Sequence, residues 1–206
     1  MTKKFPDHIP VFPLNGVIYF PKTNLPLNIF EQRYLNLVND AYSKDKLMGM
    51  VQSKKESESV YQIGCLGKIS DFQKNRDGRI LINLTGISRF KIVEEISNNK
   101  LYREFKVDYK DFNEDNNGSK NLIDTRLLME NSKKFFKRNG LLLNWREFDK
   151  LSCTQKINTL SMISPIANEE KQKLLESVTL QEKAKAFNDI INFYLHESKF
   201  NTKTVQ

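Results

Sequence analysis

Ile9-Pro10-Val11-Phe12-Pro13-Leu14-Asn15-Gly16-Val17-Ile18-Tyr19-Phe20-Pro21, followed by Leu25-Pro26-Leu27-Asn28-Ile29-Phe30-Glu31-Gln32-Arg33-Tyr34, decides how the first half of the chain folds. Its apolar stretches are cut repeatedly by proline, which donates no ladder hydrogen bond, so they read as edge strands or strand ends bent at turns. From Phe30 the period changes. Phe30, Tyr34, Leu37, Val38, Ala41 and Tyr42 share one helical face and predict a helix ending near Lys44. Outward from this helix, residues 47–51, 60–72, 79–94 and 101–112 are rich in Val, Ile, Phe and Tyr and read as strands. Asn75-Arg76-Asp77-Gly78 supplies hairpin-turn chemistry between the second and third of them. Gly64 and Gly67 inside one strand suggest bulges or a barrel corner. A small, coiled, partly closed barrel with one embedded helix fits this pattern better than a flat sheet.

Residues 113–120, Asn-Glu-Asp-Asn-Asn-Gly-Ser-Lys, are polar and aperiodic, which places a linker there between a β domain at 1–112 and a helical domain at 121–206. Leu122, Ile123, Leu127, Leu128, Phe135 and Phe136 form a helical stripe that stops at Asn139-Gly140. Asn144 with Glu147, Ser152 with Gln155, and Thr179 with Glu182 have capping-box spacing. Pro165 ends the helix around 157–163, a short helix follows at about 169–176, and Leu180, Ala184, Phe187, Ile190, Ile191, Tyr194 and Leu195 line the last one. The expected class is α+β, a barrel followed by a helical bundle.

Composition excludes several kinds of function. The 206 residues, with 39% hydrophobic and 14 Phe, suit one large domain or two small ones at ~150 residues per domain. There is neither an apolar run of ~18 residues nor a signal-peptide pattern, so the expected location is the cytoplasm with no membrane partner. The formal charge of +8 invites an anionic partner. It is diffuse, however, with 18 basic against 13 acidic residues over 1–112 and 15 against 12 over 113–206, and only 8 of the cations are Arg. Bidentate readout of phosphates favours Arg over Lys.

Reactive chemistry is thin. His8 and His196 each stand alone, and neither has metal-ligand spacing. Cys65, in Ile63-Gly64-Cys65-Leu66-Gly67, has the setting of a buried strand, and Cys153 reads as reduced and structural. Gly67-Lys68 lacks the remainder of a phosphate loop, and neither a dinucleotide nor a nucleophile-elbow motif occurs. No catalytic, metal or cofactor residue is therefore assigned.

Several segments, in order, resemble the N-terminal, substrate-binding domain of Lon protease. They are Val11-Phe12-Pro13-Leu14, Phe20-Pro21, Leu25-Pro26-Leu27 and Ile29-Phe30-Glu31-Gln32-Arg33-Tyr34, then Gly64-Cys65-Leu66-Gly67-Lys68-Ile69, Asp77-Gly78-Arg79, Gly86-Ile87-Ser88-Arg89-Phe90, and residues 170–176 in the helical part. The resemblance spans residues 9 to about 195 and implies a PUA-like pseudo-barrel followed by a helical bundle. In full-length Lon such a region is a recognition and oligomer-organising arm, while the ATPase and Ser-Lys protease follow several hundred residues later. Neither engine is found in this sequence, so proteolysis is not transferred to it and the expectation is no enzyme.

The expected function is a non-enzymatic binding module for extended or unfolded polypeptide, or a regulator of proteolysis that meets a protease or chaperone. Phe20, Pro21, Leu25 and Pro26 are the candidate polypeptide-binding residues, since edge strands and a proline-rich apolar surface can accept an extended chain. Their simpler role is to close one end of the barrel. Glu31, Arg33 and Arg89 are candidates for a recognition cleft between barrel and bundle, or more simply for ion pairs in which Arg33 or Arg89 meets Glu31. The alternatives are an RNA-binding PUA-like module, which the even charge split disfavours, and a structural protein docking on one fixed partner or on itself. Oligomeric state is not legible.

Overall fold

The computed structural model describes residues 5–54, 59–117 and 124–201. The chain divides into two units, Met1–Asn117 and Gly118–Gln206.

In the first unit the strands are β1 His8–Leu14, β2 Asn24–Ile29, β3 Leu47–Gln52, β4 Ile63–Lys74, β5 Ile80–Ile96 and β6 Arg103–Asp108, with helix α1 Gln32–Ser43 between β2 and β3. Sheet order is β2-β5-β4-β3-β1-β6, and a further β5–β6 pairing closes all but β2 into a barrel. β5 makes this possible by its length. Its first half pairs with β2 and its second half with β6, while β4 runs along both. The register shift between Leu66 and Gly67 leaves Ile87 of β5 as the extra residue, opposite a glycine singled out from sequence, and that between Ile69 and Asp71 leaves Ser70 of β4, so each strand carries a bulge that supplies the bend closure needs.

β1 corrects the edge-strand expectation. It is parallel to β3 over Val11–Leu14 and antiparallel to β6 over His8–Val11. Pro10 is thus laddered only to β6 and Pro13 only to β3, so each proline has one side on which its missing N–H costs nothing. The barrel interior holds Ile9, Val11, Val51, Leu66, Phe90, Phe105 and Val107. α1 buries Tyr34, Leu37, Val38 and Ala41 as its period requires, while Phe30 falls outside the helix and is 66% exposed. The Tyr102 hydroxyl donates to Asp40 Oδ2 at 2.6 Å and ties α1 to the β5–β6 hairpin. Burial, and then that acidic neighbour, raise the Tyr102 pKa to about 12. At the 75–78 turn Gly78 N–H donates to Asn75 C=O at 3.1 Å, and Gly78 takes φ 88°.

The segment expected to be a linker at 113–120 begins as structure. A 3-10 turn, Lys110–Phe112, runs into helix α2, Asn113–Asn117, and Asp115 is only 6% exposed. Residues 118–120 lie outside the described residues. Asp115 Oδ2 accepts from Arg89 N–H at 2.8 Å and Nε at 2.9 Å, Oδ1 accepts from Nη2 at 3.0 Å, and the guanidinium carbon lies 4.4 Å from the Phe112 ring centre. A run of polar residues looks like a linker until a buried member, Asp115, finds a partner on a distant strand.

The second unit contains α3 Arg126–Arg138, α4 Trp145–Phe148, α5 Cys153–Ile163, α6 Asn168–Glu176 and α7 Leu180–Asn201. All three capping positions read from sequence form bonds: Glu147 N–H to Asn144 Oδ1 at 3.2 Å, Gln155 N–H to Ser152 Oγ at 3.3 Å, and Glu182 N–H to Thr179 Oγ1 at 3.2 Å. Ala167 offers no acceptor, so α6 keeps only the return half, Ala167 N–H to Glu170 Oε2 at 2.9 Å. Gly140 ends α3 at φ 66°. Leu122 and Ile123 of the expected stripe lie outside the described residues. No described helix is long and apolar enough to cross a membrane.

Candidate functional site

An open cleft of about 580 Å³ lies on the barrel unit, where the ends of β1 and β3 meet the start of α1 and the β5–β6 pair. Pro13, Leu14 and Asn15 come from β1 and its exit, Ser53 from the exit of β3, Glu31, Arg33 and Tyr34 from the start of α1, and Glu95 and Arg103 from β5 and β6. Glu31 is the N-cap of α1 in an extended conformation, and its side chain makes no capping bond. Its backbone carbonyl accepts from Tyr34 and Leu35 N–H, both at 2.9 Å, which starts the helix and leaves the carboxylate available.

That carboxylate accepts from Arg33 Nε at 3.0 Å and Nη2 at 2.9 Å, both on Oε2. Arg103 donates from Nε to Glu95 Oε1 and from Nη2 to Oε2, each at 2.6 Å, a fork-on-carboxylate geometry. Those bonds hold the Glu95 carboxyl below its ordinary pKa against a smaller opposing effect of burial. The Tyr34 hydroxyl donates to Pro13 C=O at 3.3 Å, and its ring packs 4.1 Å from that of Phe12 and beneath the Arg33 guanidinium at 4.6 Å. Burial raises the Tyr34 pKa, with Glu31 adding to the shift and Arg33 and Arg103 opposing it. The cleft is therefore polar, braced and balanced in charge, each guanidinium already holding its own carboxylate.

Of the residues singled out from sequence, the structure brings Glu31 and Arg33 together here, on the barrel unit itself. Arg89 is elsewhere, 2% exposed and bound to Asp115 rather than Glu31. Phe20, Pro21 and Leu25 are buried, which corrects their reading as a binding surface. The cause is a tight turn: Phe20 C=O accepts from Thr23 Oγ1 at 2.7 Å, and Lys22 N–H reaches Gly86 C=O at 2.9 Å. This turn presses so close to β5 that a Cβ on Gly86 would lie 2.2 Å from the Phe20 carbonyl oxygen. Only Pro26 is exposed, on the free edge of the sheet. Gly86 N–H donates to Thr23 C=O, and antiparallel alternation from there turns the main-chain groups of Asn24, Pro26 and Asn28 outward. Proline puts no donor at the middle of that edge, which blunts it against strand addition.

Sequence reading missed Asn15, Tyr34, Ser53, Glu95 and Arg103 as cleft residues. Tyr34 reads locally as helix core, and the opposite charges of Glu95 and Arg103, which flank the break between two successive strand-like stretches, are the one signal that could have paired them. Among the described residues no group of three or more His, Cys, Asp and Glu could hold a metal ion.

Residues 8–192 match the family described as the ATP-dependent protease La (LON) substrate-binding domain. The chain belongs to the Lon substrate-binding domain family. It is 25% identical over 218 residues to the Lon protease of Syntrophus aciditrophicus (strain SB), covering 97% of this chain and 27% of that protein. Lon protease 2 of Myxococcus xanthus is 24% identical, with 91% of this chain and 24% of that protein covered. The chain thus spans about a quarter of the length of these curated Lon relatives. Among solved structures, the Lon N-terminal domain protein from Xanthomonas campestris superposes with a TM-score of 0.67 at 18% identity, covering 86% of this chain and 95% of that one. The N-terminal domain of Mycobacterium avium complex Lon protease gives 0.68 at 17% identity, covering 90% and 98%. These likenesses show that the barrel followed by helices is the Lon N-terminal domain fold.

Proposed function

We propose that this Lon-family domain is a non-enzymatic recognition module for extended or partly unfolded polypeptide, with the barrel cleft as its contact surface. It would hold such chains or present them to a protease or chaperone. The observation that carries the reading is the cleft's balance of charge, with Arg33 and Arg103 each braced by a carboxylate beside the engaged carbonyl of Pro13. A polyanion would have to displace Glu31 and Glu95 to reach the guanidinium groups. A polypeptide, which offers donors and acceptors alternately and little net charge, would not.

Fluorescence anisotropy with a labelled, permanently unfolded polypeptide and with a labelled RNA, each at low and high salt, tests this reading. Polypeptide binding should persist in high salt and weaken about tenfold in Arg33→Glu, a cost of roughly 1.4 kcal/mol. That side chain is 55% exposed, so the fold should be unaffected. Binding only to RNA with steep salt dependence, or polypeptide binding indifferent to Arg33→Glu, would contradict the proposal.

A further inference from the structure

Positive charge that is diffuse when counted by halves gathers in one segment of the second unit. Between positions 133 and 150 six basic residues stand against two acidic ones, an excess of four out of the chain's +8. Lys133, Lys134, Lys137 and Arg138 lie in the second half of α3, Arg146 and Lys150 in and just after α4, and all six are exposed. Three of them lie near carboxylates: Lys134 at 2.7 Å from Glu130, Lys150 at 2.7 Å from Glu147 and Lys133 at 3.9 Å from Asp149. Lys137, Arg138 and Arg146, which border the loop between α3 and α4, form no ion pair with a carboxylate among the described residues.

Between these cations the loop is apolar. In Gly140-Leu141-Leu142-Leu143-Asn144, Leu142 is 100% exposed, and Leu141, Leu143 and Trp145 beside it are half-buried. The backbone holds the loop in this form. Gly140 at φ 66° and the bond from Leu141 N–H to Phe136 C=O at 2.9 Å end α3, and Trp145 N–H donates to Leu143 C=O at 2.9 Å. The Trp145 ring packs edge-on at 5.7 Å from Phe136 and 5.5 Å from Phe148, with Lys133 Nζ 5.3 Å from its centre. A braced loop that leaves a leucine wholly in water marks a contact surface.

We propose that this loop docks on an anionic lipid bilayer: Leu142 enters the boundary between headgroups and acyl chains, Trp145 lies at that boundary, and Lys137, Arg138 and Arg146 face the lipid phosphates. An apolar tip bordered by cations matches a surface that is negative outside and apolar beneath. A nucleic acid would engage the cations and leave Leu142 in water. An unfolded polypeptide of little net charge would leave the cations unmatched. The expectation of no membrane partner rested on the lack of a spanning segment, which bears on crossing a bilayer and not on lying against one. Attachment through a single loop is shallow and reversible. The barrel cleft takes no part in it, so this docking and polypeptide recognition stand or fall separately.

Trp145 is the chain's single tryptophan, so its emission reports on the loop in the full chain. Vesicles of phosphatidylcholine and phosphatidylglycerol in roughly equal parts should shift that emission to the blue, and lipids brominated on their acyl chains should quench it. Vesicles of phosphatidylcholine alone should do neither, and added salt should weaken the effect. Leu142→Asp should lower partitioning about tenfold or more, and Lys137→Glu combined with Arg146→Glu at least as much. All three side chains are exposed, so unchanged far-UV circular dichroism should accompany each variant. No binding to the anionic vesicles would overturn the proposal. Cosedimentation with vesicles that brings no blue shift or quenching, or that is indifferent to Leu142→Asp, would overturn it equally, since attachment would then run through another surface. A blue shift with an unfolded polypeptide or an RNA, and none with vesicles, would overturn it in favour of that molecule.

Discussion

Asp115→Ala should lower the stability of the barrel unit by about 3–5 kcal/mol, seen as an earlier first transition when the full chain is unfolded in urea. Asp115 is the partner of an Arg89 side chain that is 2% exposed, and it satisfies three of that residue's N–H groups, one of them on the backbone. Removing it leaves a guanidinium in the interior with neither its counter-charge nor those acceptors, and the cost of desolvating an unpaired ion then falls on the folded state. In a unit of this size the thermal midpoint should drop by on the order of 10 °C or more. Replacing both partners by apolar residues, Arg89→Met with Asp115→Leu, should recover most of the loss, because no charge then remains to be buried. Equal instability of the single and double variants would show that the pair acts through shape rather than charge.

Gly64→Ala should cost about 3 kcal/mol, measured the same way. A Cβ at this position would lie 2.4 Å from the Met50 carbonyl oxygen and 2.6 Å from both Phe90 Cζ and Val51 Cγ1. Gly64 stands directly opposite Phe90 in the β4–β5 register, so the ring that fills the barrel lies where a side chain would go. Relief would require the backbone of β3 to move, since one of the three obstacles is a main-chain oxygen. Gly78→Ala is the informative contrast. At φ 88° with open space around it, only the left-handed backbone is penalised, a cost of about 1 kcal/mol.

These two positions also show what the sequence carries and what it withholds. Local chemistry was legible: the helical period from Tyr34 to Ala41, the glycine turn at 75–78 and the caps at Asn144, Ser152 and Thr179 depend on neighbours within four residues. Closure of the barrel was less so, because it depends on a strand, β5, that switches partners along its length. Proline misled at β1, where Pro10 and Pro13 mark boundaries between two half-ladders instead of a free edge. The fate of Phe20 was set by Gly86 on another strand, and that of Asp115 by Arg89, 26 residues earlier. Within the cleft, Glu31 and Arg33 were legible as one of two possible ion pairs, the other placing Arg89 on Glu31, where the fold gives Arg89 to Asp115. Glu95 and Arg103 sit on separate strands, and only the β5–β6 register brings them to the same rim.

Amide hydrogen exchange of the full chain, with and without a saturating unfolded polypeptide, locates the contact directly. Recognition through the barrel cleft predicts that the polypeptide slows exchange at residues 14–15, 31–34, 53, 95 and 103, and leaves the Arg89–Asp115 contact and the β4–β5 core unchanged. Protection confined to the helical unit, or no protection under conditions where binding is saturated, would contradict the cleft as the recognition surface.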